Sequence, residues 1–199
     1  MSELFNSNWR SLTTLRASFL DCYSVNLDRL LYDLPNINNI ETCLSQDRRS
    51  TDNIDLWEFI NWEKFVPRSY GGFLTSQHRH DYGCYNFKAH VSLAHYRDIC
   101  NLYIKHNKEN LSNLFYNTNI TETDGDLTFG NLSAINSNAK YMRHTFDGAK
   151  CDNGALRLDD NFFSKLPKIQ DVRYCFANIS LAKPIPFDFF RKRYDNINT

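Results

Sequence analysis

The chain lacks net charge: 23 Lys and Arg balance 23 Asp and Glu over 199 residues. That balance excludes a global basic field of the kind that binds nucleic acid indiscriminately, and it does not point to a polyanionic partner. Long apolar runs are missing too. No stretch has the length of a membrane span, so the expectation is a soluble protein with no membrane partner. The six cysteines (Cys22, Cys43, Cys84, Cys100, Cys151 and Cys175) include no CxxC pair and no tight framework. Common zinc and redox patterns are thereby removed, and free thiols in a reducing compartment are favoured. No secretory leader is legible, because Met1 to Arg10 is polar and the apolar positions that follow are interrupted; a cytoplasmic location is expected. Also missing are a Walker loop, a dinucleotide fingerprint, a nucleophile-elbow serine and any repeat of fixed period.

What is present is a globular composition, 42% hydrophobic and 15% aromatic, which excludes disorder. The length suits a single domain over residues 1–199 that buries a substantial core without metal or disulfide. Charge is unevenly spread. Residues 1–66 carry 6 basic and 10 acidic side chains, leaving 17 basic and 13 acidic in residues 67–199.

Residues 1–66 read as mainly helical. Trp9, Leu12, Leu15, Phe19 and Cys22 recur at helical spacing, and Leu27, Leu30, Leu31 and Leu34 continue the pattern to Pro35. Asp55 and Glu58 have capping-box spacing ahead of Leu56, Trp57, Phe59, Ile60, Trp62 and Phe65, which predicts a short buried brace ended by Pro67. Beyond Tyr70 the period shifts from helical to alternating. Phe73 to Val91 predicts a β-hairpin with His78, Arg79 and His80 at its tip. Its second strand places Tyr85, Phe87, Ala89 and Val91 inward and Cys84, Asn86, Lys88 and His90 outward. Ser92 can cap a helix with Leu93, Tyr96, Cys100 and Tyr103 on one stripe, interrupted near Asn107 and restarted at Leu111, Leu114 and Phe115.

The rest reads as mostly β. Asp124-Gly125 between two extended runs predicts a hairpin. Lys140 to Phe146 reads as a strand, and a short helix is expected at Asp160 to Leu166. Ile169 to Lys183, apolar on both faces, reads as a central strand. A terminal helix over Phe187 to Tyr194 closes the chain. The fold expected is therefore α+β: a helical N-terminal third packed on a mostly antiparallel sheet, with helices near 92–115 and 187–194.

Three chemistries fit residues of the histidine-rich stretch. His78, His80, Asp81 and Cys84 are metal-ligand types close in sequence. Metal-free acid and base work, as in phosphodiester cleavage, could use His80 or His90 as base and His78 or His144 as acid, with Lys88 or Arg68 against a developing oxyanion. Cys84 is the thiol candidate, with His90, His95 or His144 as its base. Nucleic acid, if contacted, would meet Arg191, Lys192 and Arg193 beside Phe189, Phe190 and Tyr194. No cofactor is implied. By elimination the leading expectation is a protein-binding or regulatory protein acting through a surface. The alternative is a small hydrolase, a nuclease with or without metal, centred on hairpin 73–91.

Overall fold

The alternation around position 90 becomes a strand in the computed structural model, which describes residues 11–13, 53–59, 61–65, 88–128, 138–158, 162 and 166–185. This strand, β2 (Lys88–Ser92), has neighbours on both sides. On one side lies β1 (Asn53–Asp55), followed by two single-turn helices, α1 (Leu56–Phe59) and α2 (Trp62–Phe65). After β2 comes α3 (Leu93–Lys105), then β3 (Thr118–Thr121), β4 (Leu127–Thr128), β5 (Lys150–Cys151) and β6 (Leu156–Arg157). A four-stranded sheet runs β1-β2-β3-β5, a two-stranded one pairs β4 with β6, and every pair is parallel.

The expected antiparallel sheet is therefore overturned. Cross-coil contacts recur at separations of 29 to 31 residues, as between Asp126 and Ala155 or Asn178 and Asp147. This is a parallel solenoid, in which each coil lies on the one before. The alternation could not reveal it, because a solenoid strand hides one face and exposes the other just as an antiparallel strand does. Among the described residues the first third does not read as mainly helical either: between residues 53 and 65 the helices are single turns, introduced by a strand.

Three turn segments, 110–117, 141–148 and 171–178, stack through isolated parallel bridges Asn110↔Tyr141 and Tyr141↔Asp171. Amides of Leu111, Asn113, Phe115 and Asn117 donate to carbonyls of Tyr141, Arg143, Thr145 and Asp147 at 2.7–2.9 Å. Amides of Met142, His144, Phe146 and Gly148 donate in the same way to Asp171, Arg173, Cys175 and Ala177 at 2.8–3.0 Å. Each segment takes left-handed backbone at matching places, Asn113 and Asn117, His144 and Gly148, Tyr174 and Asn178. Those reversals break the period of two. Hence the predicted strand at Lys140 to Phe146, the central strand at Ile169 to Lys183 and the helical restart at Leu111 are all runs of turns. The hairpin expected at Asp124-Gly125 is not one, since β3 and β4 belong to different sheets.

Inside the coils, Phe115, Phe146 and Phe176 form a column. Ring centroids lie 5.8 and 6.0 Å apart with interplanar angles of 14° and 3°. The inner residues of β2, Ala89 and Val91, join Ile120, Leu56 and Trp62 in the same core. α3 closes over it with Tyr96, Ile99, Cys100 and Tyr103 buried and Ile104 exposed. As expected, Ser92 caps this helix, its hydroxyl accepting the His95 amide at 3.2 Å. The helices expected before residue 53 and over 187–194, the short helix at 160–166 and most of hairpin 73–91 fall wholly or largely outside the described residues.

Candidate functional site

Parallel register turns the outward positions of the sheet into rows. Asp55 pairs with His90, His90 with Asn119 and Asn119 with Lys150, so four polar residues cross four strands in one line. Neighbouring strands are about 4.8 Å apart, which sets the spacing of the groups. A second row holds Ser92 and Thr121, and Asp152 beyond β5 accepts the Asn119 carboxamide at 2.6 Å. Ala89 and Val91 face inward at 2% and 0% exposure. His90 lies between them and is half-exposed.

Asp55 does two jobs at the edge of this row. Its Oδ1 accepts the amides of Trp57 at 2.9 Å and Glu58 at 3.4 Å, which starts α1 as the capping-box spacing predicts. Its Oδ2 lies 3.8 Å from His90 Nε2, an ion-pair approach and too long for a hydrogen bond. The other ring nitrogen, Nδ1, is shut off from solvent with no hydrogen-bond partner. Next to the row, Trp57 stacks on His95 at 4.4 Å and 8°. Trp57 also borders a groove of about 680 Å³ between α2 and α3, lined further by Trp62, Glu63, Asp98 and Lys105.

A separate cluster sits on the turn segments. His144 Nδ1 lies 2.6 Å from Asp147 Oδ2, and the other Asp147 oxygen accepts from Asn178 Nδ2 at 2.8 Å. With a carboxylate as acceptor, Nδ1 carries the proton and Nε2 is left as the open nitrogen. The ring is packed between Tyr174, stacked at 4.7 Å, and the edge of Tyr116 at 6.3 Å.

Of the residues proposed for catalysis, the structure describes Lys88, His90, His95 and His144: Lys88 and His90 lie on β2, paired to Asn53 and Asp55, His95 stacks on Trp57 from α3, and His144 belongs to the separate cluster on the turn segments. Arg68, His78 and His80 lie outside the described residues, as do Asp81 and Cys84 of the proposed metal set and Arg191, Lys192 and Arg193. Among the described residues no group of three His, Cys, Asp or Glu side chains is placed to hold a metal. The thiols of Cys100 and Cys175 are pushed far up by burial, which keeps them protonated. Asp55, Asn119, Lys150 and Asp152 were not singled out as site residues by the sequence. Only the register between coils brings them to His90, and no local pattern carries that register. Comparison with protein-family models, curated proteins and solved structures finds no match.

Proposed function

We propose that this protein is a binding or regulatory module that engages a protein partner through the outer face of its parallel sheet. The observation that carries the reading is the cross-strand line Asp55–His90–Asn119–Lys150. It sets acceptor, imidazole, carboxamide and ammonium side by side on a backbone held rigid by two parallel neighbours. Such a row offers both signs of charge and both hydrogen-bond roles, which suits a polypeptide surface better than a uniformly charged polymer. Among the described residues no helix is long and apolar enough to cross a membrane. Free thiols at Cys100, Cys151 and Cys175 fit the cytoplasm.

Photo-crosslinking in the native host tests the reading. A photoreactive residue at exposed Lys150 should give a discrete protein adduct, while the same residue at exposed Arg97 on α3 should not. Equal adducts from both positions, or none from 150, would refute it. One observation favours the hydrolase alternative, the approach of His90 to Asp55 at 3.8 Å. That alternative requires a nuclease activity abolished by His90→Ala in a chain that still folds.

A further inference from the structure

The groove of about 680 Å³ between α2 and α3 has a volume in the range of small-molecule sites. α3 lines it with Asp98, Asn101 and Lys105, which the helical period puts on one face. Glu63 of α2 lines the other wall. Among the described residues these four side chains make no hydrogen bond or ion pair, whereas charges on the coils are matched, as Lys140 by Glu109, Arg157 by Asp126 and Arg173 by Asp171. Nor is Lys105 required to finish its helix. The carbonyls of Leu102, Tyr103 and Ile104 already accept the amides of His106, Lys108 and Asn107 at 2.8–3.1 Å.

The groove is also ordered along its length. Trp57, on its wall, stacks on His95, and Asp98 lies about 4.5 Å further along the helix axis. Lys105 lies about 10 Å beyond Asp98. One end therefore combines an indole with a carboxylate, the other carries an ammonium, and Asn101 between them offers both a donor and an acceptor. The indole is fixed in advance: Asp55 accepts the Trp57 amide at 2.9 Å and His95 backs the ring.

We infer that this groove binds a short free peptide, about three residues long, by both of its termini. The peptide's ammonium lies against Trp57 and Asp98, its carboxylate meets Lys105, and a central amide bonds to Asn101. Three extended residues span about 10 Å, the axial distance between the two charged ends. The ammonium gains from the indole as well as from the carboxylate. A polyamine is disfavoured because its second charge would meet Lys105, and a phosphorylated ligand because the carboxylates of Glu63 and Asp98 outnumber the one ammonium. A neutral sugar would use neither charged end. The groove is separate from the sheet face proposed above and does not depend on it.

The probe is triglycine, titrated at millimolar concentration into the full chain while NMR follows the indole N–H signal of Trp57, which Trp57→Phe identifies by its loss. A saturable shift is expected. N-Acetyl-triglycine and triglycine amide should each bind about two- to fivefold more weakly, the size of one exposed charge pair. Lys105→Met should lower triglycine to the affinity of its amide and leave the amide unaffected, and Asp98→Asn should do the same for the acetylated peptide. Both positions are exposed, so the fold is retained. The inference is overturned by the absence of a saturable shift, by affinity indifferent to blocking either terminus, by a Lys105→Met chain that still distinguishes triglycine from its amide, or by spermidine or maltotriose binding more tightly than triglycine.

Discussion

Asn178 reaches back one coil to donate a hydrogen bond to the Asp147 carboxylate at 2.8 Å. Asp147 is only 6% exposed and spends its other oxygen on His144, so one acid joins two coils and orients an imidazole. Removing that acid leaves two donors unmatched. Asp147→Ala should cost about 2–4 kcal/mol and Asn178→Ala about 1–2 kcal/mol, read from urea midpoints at constant slope. The double variant should be less damaging than the sum; strict additivity would show that the contact does not couple the coils.

Phe146 is the middle ring of the aromatic column and is fully buried. Phe146→Ala should destabilise by about 3–5 kcal/mol through the cavity it opens, whereas Phe146→Leu should cost markedly less. Calorimetry on both variants compares them directly. Near-equal losses would mean that the ring contacts of the column, and not the volume Phe146 fills, carry its contribution.

Two glycines mark where coils touch most closely. A Cβ on Gly154 would fall inside van der Waals contact of the Gly125 carbonyl carbon and the Asp126 nitrogen, both backbone atoms. Gly148 sits at φ 71, with Asn117 Oδ1 3.3 Å from where its Cβ would lie. Gly154→Ala should cost about 3 kcal/mol or more and Gly148→Ala about 1–2 kcal/mol. A thermal melt in which Gly154→Ala behaves like the parent would contradict the close stacking of these two turns.

Alkaline pH should weaken the fold. Burial holds the thiols of Cys100 and Cys175 protonated far above their ordinary range, and it does the same to the Tyr96 hydroxyl. Above about pH 8.5 the unfolded chain releases thiol protons that the folded chain keeps. The contribution is therefore complete below that pH and is withdrawn as the pH climbs toward the raised folded values. Each thiol should remove about 1.4 kcal/mol per pH unit in that range. Urea midpoints followed from neutral to strongly alkaline pH check the slope, and Cys100→Ala with Cys175→Ala should flatten it. A thiol reagent should label neither residue before unfolding.

Local elements were legible wherever a single period ran unbroken. Ser92 as a cap, the buried stripe of Tyr96, Cys100 and Tyr103, and Asp55 ahead of α1 all followed from spacing within one turn or two. The sheet was not legible, because pairing Val91 with Ile120 rather than with a neighbouring strand leaves no mark on either segment. Left-handed residues hid the rest. Tyr174 is unfavourable in that conformation and His144 only occasionally adopts it, so neither identity announces the reversals that make 141–148 and 171–178 turns. The same gap concealed the site: His90 stood out by type, while Asp55, Asn119 and Lys150 gain meaning only as its neighbours across strands.

The near-constant interval between stacked residues also bears on how the chain acquires its shape. No described sheet pairing joins strands linked by a tight turn, so every rung must close a loop of some thirty residues before it is rewarded. Assembly should therefore be slow for a chain of this size, yet directional. Once β2 and β3 are in place, each later coil finds a finished template behind it, and synthesis on the ribosome delivers the coils in the order in which they can be laid down.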